Sequence, residues 1–316
     1  MSRLIRGCGL MVGVALAAAA LLGRSAGASV LVNDTWLDGT DSDPAAPVWS
    51  ENGVDSDADG NLESAWFQGG VGSLDPVGAG GPERGNMTTG GTSSASWTTY
   101  ATPETGKVTL GQGESLHITW AFTPSNVNVS NTSQNFRLAL VNTPSGSRLA
   151  ANGTPASAAF TGYGMFMNMG QTLGNSNPFR LMKRNVTSGD LLNTSGNWVA
   201  VGTTGATTGN HGYDSGTSYT FDMTLTHNAL DGLDVNVSMT GGTLDNDGTA
   251  QVLFTDATPQ GGSFTFDTFG VRPSGATTTA ELFDTSLFKV EYIPEPSAVA
   301  LIALGGLPLL HRRKRA

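Results

Sequence analysis

Residues 219–240 read YTFDMTLTHNALDGLDVNVSMT. Tyr219, Phe221, Met223 and Leu225 alternate with Thr220, Asp222, Thr224 and Thr226. After Asn228, Asp231 and Gly232 the rhythm resumes with Leu233, Val235, Val237 and Met239. A period of two puts the apolar set on one face and the polar set on the other, the pattern of a half-buried strand. An Asn- and Gly-bearing break between two such runs reads as a hairpin. The unit is an antiparallel strand pair with one apolar face to cover.

The same rhythm recurs upstream and downstream. Leu116, Ile118 and Trp120 share a face, as do Phe136, Leu138 and Leu140. Tyr163, Met165, Met167 and Met169 follow, then Phe179 and Leu181, then Phe264 and Phe266, and residues 286–292 read as a closing strand. Gly241-Gly242 and Gly261-Gly262 punctuate the runs. No convincing helical period occurs away from the two ends. The expected fold is all-β, an antiparallel β-sandwich of two sheets packed face to face, flanked by an N-terminal signal helix and a C-terminal hydrophobic helix. The closing segments DMTLTHN, LDVNVSMTGG, FDTFGVR and LFKVEY, within residues 215–292, resemble the end of a concanavalin A-like jelly roll. That resemblance implies a superfamily used by lectins, laminin-G-like modules and several glycosidases, and fold likeness alone does not give function.

The ends carry a different message. Arg3 and Arg6 precede an apolar run over residues 10–22, and Ala26-Gly27-Ala28 follows. Positive region, short apolar run and small-x-small site make a secretory signal peptide, with cleavage expected after Ala28. The run is well short of the roughly 20 residues a transmembrane helix needs. At the other end Pro294, Glu295 and Pro296 precede an apolar stretch and the basic cluster Arg312, Arg313, Lys314 and Arg315. An apolar stretch followed by basic residues acts as a stop-transfer anchor by the positive-inside rule. This order of parts resembles the PEP-CTERM sorting tail. The resemblance implies recognition by an exosortase, cleavage near the tripeptide, and release to the cell surface or extracellular polymer. The expected partners during export are the Sec translocon and the exosortase, with transient anchoring in the inner membrane. The expected division is 1–28 signal peptide, 29–293 β-sandwich, and 294–316 sorting segment.

Between the ends, residues 29–293 hold nine basic and 25 acidic residues, a net charge of −16. Such a surface repels nucleic acid and anionic membranes and attracts cations. Cys8, within the signal segment, is the single cysteine, so disulfides and thiol chemistry are excluded from the domain.

Three groups of residues are candidates for chemistry. Asp55, Asp57, Asp59 and Glu63, with Gly60 among them, resemble calcium loops of the EF-hand and related type. A tight turn can converge their hard oxygen ligands on one cation, and calcium is the candidate cofactor. The spacing departs from the EF-hand, because Trp66 stands at the twelfth position and Glu63 at the ninth. Asp34, Asp38, Asp41, Asp43 and Glu51 lie nearby, and no basic residue occurs between Arg24 and Arg84. A solvated acidic surface loop is the alternative. Trp49, Trp66 and Trp97 are candidates for stacking on sugar rings, with core packing as the alternative. For catalysis, a glycosidase needs two carboxylates at a set separation. Glu63, Glu83, Glu104 and Glu114 show no such local signature, and no G-x-S-x-G, H-E-x-x-H or Walker sequence occurs. His117 and His227 read as surface or structural. The expected function is non-enzymatic: a cell-surface or matrix protein that binds extracellular polysaccharide. A carbohydrate-active hydrolase on the same fold, or a self-associating surface protein, are the alternatives.

Overall fold

The computed structural model describes residues 27–77, 84–91 and 94–295. Ala26, Pro296 and the Arg312–Arg315 cluster lie outside the described residues, as do both expected terminal helices. Among the described residues no helix is long and apolar enough to cross a membrane. Helical structure there is limited to short 3-10 turns.

The strands are β1 (Ser29–Asp34), β2 (Trp66–Gly70), β3 (Ser73–Val77), β4 (Arg84–Thr88), β5 (Ala95–Tyr100), β6 (Val108–Thr109), β7 (Ser115–Ser125), β8 (Phe136–Asn142), β9 (Thr161–Met167), β10 (Phe179–Arg184), β11 (Trp198–Thr204), β12 (Tyr219–His227), β13 (Leu233–Thr240), β14 (Thr249–Asp256), β15 (Thr265–Phe266), β16 (Thr268–Pro273) and β17 (Leu282–Ile293). One sheet runs β14-β13-β12-β7-β17-β4-β3. β1 joins it beside β4, because β17 is long enough to pair both: Leu282–Thr285 with β4 and Phe288–Tyr292 with β1. The second sheet runs β11-β10-β9-β8-β16-β5-β2, and β6 pairs with β15 alone. Every pairing is antiparallel, including the β12–β13 hairpin, whose register sets Phe221 opposite Met239 and Leu225 opposite Val235.

The alternating runs do what their period dictates. Inward and outward positions alternate strictly along β7 and β12. The inward set of the first sheet meets that of the second in one core. Phe288 stacks on Phe269 of the facing sheet at 5.2 Å, and Phe283 on Phe136 at 5.2 Å. Trp66 of β2 meets Phe288 edge-on at 5.1 Å. Aromatic side chains dominate such a core because each removes a large apolar area from water.

The second sheet departs from the half-buried pattern. β9 is buried at nearly every position, on both faces. Its outer face, with that of β8, β10 and β11, carries Ala139, Val141, Phe166, Met182 and Trp198, roofed by Phe160, Leu191 and Leu192 from loops. Arginines fasten the roof. Arg184 is 1% exposed and donates to the Asp190, Leu191 and Gly189 carbonyls, while Arg137 donates to those of Leu192 and Asn193. A third cluster joins Trp49, Ala65, Phe67 and Tyr100, with Ala46 and Leu149 against it.

One close approach is testable. Gly85 of β4 faces Trp36, and a Cβ there would lie 2.7 Å from the indole ring. Trp36 is fully buried and held at φ 65°, so it has little room to yield. Gly85→Ala is expected to cost about 1–3 kcal/mol by overpacking, read as a lower denaturation midpoint. A loss under about 0.5 kcal/mol would show that the indole can shift.

Candidate metal centre and adjoining groove

The segment between β1 and β2 carries nine carboxylates over residues 34–63 and no basic side chain. Backbone hydrogen bonds bring its parts together. Asn33 N–H donates to the Leu62 carbonyl at 2.7 Å, Glu51 N–H to that of Glu63 at 3.1 Å, and Ala65 N–H to that of Trp49 at 2.9 Å. The strand-like stretch 61–65 is therefore threaded between the end of β1 and residues 49–51. Trp66 N–H reaches back to the Asp41 carbonyl at 2.7 Å, which fixes the first loop over the second.

Local turns then aim the carboxylates. Asp55 accepts the N–H groups of Ala58 at 2.6 Å and Gly60 at 3.0 Å, and Asp59 accepts that of Asn61 at 2.7 Å. Glu51 accepts the Ser56 hydroxyl at 2.6 Å and the Glu63 N–H at 3.1 Å. Glu63 is 4% exposed. Its Oε1 accepts Asn61 Nδ2 at 3.2 Å, whereas its Oε2 is buried with no protein partner, and Asp59 Oδ2 is in the same condition. A buried carboxylate oxygen left unpaired is costly, so such a group marks a place where an ion or proton belongs.

Three overlapping groups result. Carboxylate oxygens of Asp57, Asp59 and Glu63 lie within 4.8 Å of one another, as do those of Glu51, Asp55 and Asp57, and those of Asp38, Asp43 and Glu63. The four residues expected to share one ion are thus divided: Asp57, Asp59 and Glu63 converge, and Asp55 turns toward Glu51. Asp38, Asp43 and Glu51 were visible in the sequence as charge, but not as partners. Burial, reinforced by Asp38 and Asp34, pushes the Glu63 carboxyl up to about 9. Burial likewise pushes Asp34 up to about 7, and burial followed by neighbouring carboxylates raises Asp43. All-oxygen donors without His or Cys suit a hard cation such as calcium.

Against the first loop lies a groove of about 260 Å³. Its walls are Ala45, Ala46, Ala65, Trp66, Phe67, Ala150 and Ala151, and its polar positions are Asp41, Ser42 and Asn152. Asn152 is positioned by the N–H of Gln68, which donates to its Oδ1 at 2.9 Å. Trp49 Nε1 donates to the Leu149 carbonyl at 2.7 Å and so ties the 149–152 wall to the first loop.

The tryptophans singled out for sugar stacking are placed otherwise. Trp97 and Trp66 belong to the central core, and Trp49 packs edge-on against Tyr100 at 6.0 Å. All three rings are buried, so none offers an open face; large aromatic area drew them inward. His227 is also structural: it is stacked on Phe264 at 3.6 Å, with Nδ1 donating to the Leu110 carbonyl at 2.8 Å. His117 points outward from β7 between Asp222, at 2.9 Å, and Glu291, at 3.5 Å. The Asp222 hydrogen bond raises its pKa. Neither histidine lines the groove.

No protein-family profile and no curated protein sequence matches the chain. Among solved structures it is similar to the carbohydrate recognition domain of Emp47p, at 16% identity and a TM-score of 0.42, covering 74% of this chain and 90% of that one. Lectin II from Ulex europaeus aligns at 9% identity and a TM-score of 0.36, covering 72% of this chain and 92% of that one. The exoplasmic/lumenal domain of VIP36, in its Ca2+/Man3GlcNAc-bound form, aligns at 9% identity and a TM-score of 0.37, covering 71% of this chain and 83% of that one.

Proposed function

We propose that the protein is an exported, non-catalytic carbohydrate-binding module whose acidic loops hold calcium beside the binding groove. The observation that carries this reading is the buried, unpartnered Glu63 Oε2, facing further carboxylates in a segment with no counter-charge. A cation there would lock the two loops against each other, and the first of them supplies Asp41, Ser42, Ala45 and Ala46 to the groove. Apolar walls with a few fixed polar groups suit a sugar ring, which presents C–H faces and hydroxyls. Asp41 is the one carboxylate among the groove's lining residues. Glycoside hydrolysis needs a facing pair, so this lining favours binding over cleavage. Export through the Sec translocon, sorting by an exosortase, transient inner-membrane anchoring and a final place at the cell surface or in extracellular matrix are supported by the order of parts at the two ends of the sequence.

The test is binding of the full-length protein to a panel of immobilised polysaccharides, in calcium and again in chelator. Saturable binding in calcium, lost on chelation, is expected. Asn152→Ala combined with Ser42→Ala is expected to weaken it by about tenfold or more, the loss of one or two hydrogen bonds to the ligand. Binding to no polysaccharide in either condition would overturn the reading, and so would binding indifferent to chelator and to both substitutions.

A further inference from the structure

The outer face of the second sheet carries a row of guanidinium side chains. Arg272 of β16 stands opposite Arg137 of β8, Arg137 opposite Phe166 of β9, and Phe166 opposite Arg180 of β10. These are three of the nine basic residues in a domain with 25 acidic ones, and each is partly exposed. Among the described residues Lys107, Arg148, Lys183 and Lys289 each pair with a carboxylate, and none of these three arginines does. Arg137 donates to the Gln134, Leu192 and Asn193 carbonyls. Arg272 donates to the Ser94 hydroxyl at 2.6 Å, to the Ser274 hydroxyl at 3.4 Å and to Asn193 Oδ1. Arg180 has no hydrogen-bond partner among the described residues. Asp190 acts on Arg137 and Arg272 through space, but its oxygens accept the Thr194 N–H and hydroxyl, both at 2.7 Å. Like charges directly opposite each other on a sheet repel. Burial, and then the neighbouring Arg272, bring Arg137 down to about 10. An anion laid along the row would relieve that repulsion.

Adjacent strands lie about 4.8 Å apart, so the row spans roughly 14 Å. That is longer than one small anion and calls for a chain that repeats its charge. Duplex nucleic acid, with one charge per about 1.7 Å, is too dense a polyanion for a domain this acidic. A glycan spaces its carboxylates or sulfates a ring or more apart. The row also shares its face with the groove. Phe67 of β2 stands opposite Thr98 of β5, Thr98 opposite Gly270 and Gly270 opposite Ala139, one pleat along from Arg272 and Arg137. Residues 150–155 lie between the two: Ala150, Ala151 and Asn152 line the groove, and Thr154 and Pro155 line a cavity of about 20 Å³ with Arg272. We propose that the polysaccharide bound in the groove is acidic, and that its carboxylates or sulfates continue from the groove onto Arg272, Arg137 and Arg180. This rests on the proposed carbohydrate-binding reading and adds to it the charge of the ligand. Guanidinium suits the task, because its planar fork matches two oxygens of a carboxylate or sulfate.

The probes are alginate, polygalacturonate and hyaluronan, each beside its carboxyl-reduced form, and carrageenan beside its desulfated form. Full-length protein in calcium is expected to bind at least one acidic chain about tenfold tighter than its neutral counterpart, the worth of one charge-assisted hydrogen bond. Which pairs show the preference tells carboxylate from sulfate. Arg137→Gln combined with Arg272→Gln is expected to abolish the preference and to leave calcium-dependent binding of the neutral chain intact. Those two side chains also hold the roof, so Arg180→Glu serves as the second variant, having no hydrogen bond to lose. It is expected to weaken binding of the acidic chain by about threefold or more, with the neutral chain unaffected. Equal affinity of the wild type for acidic and neutral forms would overturn the inference and leave the carbohydrate reading standing. Binding to neither form of any pair would overturn both. A preference unchanged in both variants would place the anion elsewhere and overturn the assignment to this row. Duplex DNA bound as tightly as the acidic chain would overturn it too.

Discussion

Saturating calcium is expected to raise the thermal midpoint of the full-length protein by about 5–10 °C, and chelator to remove the whole increment. The size follows from linkage. A ligand at a hundred times its Kd stabilises the folded state by about 2.7 kcal/mol, and a domain of this size moves by about 2–4 °C per kcal/mol. The carboxylates themselves give the pH dependence. Without metal, Glu63 holds its proton up to about 9 when folded, against an ordinary glutamate value near 4.5, and Asp34 holds its own up to about 7, against 3.8. The folded state therefore binds more protons than the unfolded state across that window. Stability of the metal-free protein then falls as pH rises from about 4 toward 9. Calcium competes with those protons, so its stabilisation grows over the same range. Glu63→Gln separates the two effects. Glutamine needs no proton uptake on folding, so the metal-free midpoint is expected to rise at about pH 8, and losing a buried ligand is expected to shrink the calcium increment by more than half. A metal-free midpoint that is flat or rising between about pH 5 and pH 8 would refute the account of the basin. So would a full calcium increment in Glu63→Gln.

What could be read from the sequence follows burial. β7, β12 and β13 announce themselves because one face meets the core and the other meets water, so the alternation is clean. β2, β3 and β4 read WFQGG, SLDPV and RGNMT; Gly and Pro at those positions hide strands that tertiary pairing nonetheless forms. β9 shares the period of two in its apolar side chains, yet is covered on both faces by a loop roof that no local pattern announces. The acidic basin was legible as a run of charge without counter-charge. Its true grouping was not, because Asp38 and Asp43 reach Glu63 only through the Asn33–Leu62 and Ser50–Ser64 bridges. The tryptophans misled for a related reason: sequence marks an aromatic ring but not the side of the sheet that it fills.

Asp267→Ala is expected to be the most damaging single substitution outside the aromatic core, costing about 3–5 kcal/mol. Asp267 is fully buried. Its Oδ2 meets Arg148 at 2.8 Å and Lys107 at 3.1 Å, and its Oδ1 accepts the Thr143 N–H at 2.8 Å and the Thr268 hydroxyl at 2.8 Å. Arg148 is almost wholly enclosed. Its guanidinium lies 4.7 Å from the Tyr100 ring and 5.1 Å from the Trp49 ring, and donates to the Thr102 carbonyl at 2.6 Å. Deleting the carboxylate leaves a desolvated guanidinium with no counter-ion, which is the costly outcome for a buried pair. Adding Arg148→Met to Asp267→Ala is therefore expected to recover part of the loss, since an apolar side chain of similar length needs no partner. The consequence reaches the groove. Leu149 N–H donates to the Tyr100 hydroxyl at 2.8 Å, and its carbonyl accepts Trp49 Nε1, so Arg148 and its neighbours set where Ala150, Ala151 and Asn152 stand. Asp267→Ala should thus weaken polysaccharide binding at temperatures where the protein is still folded, while calcium stoichiometry is retained. Urea denaturation of the wild type, both single variants and the double variant measures the first claim, with an unchanged slope as the condition for comparing midpoints. A cost under about 1 kcal/mol for Asp267→Ala would mean that water reaches Arg148 and that the ion pair is not what holds the 143–152 wall.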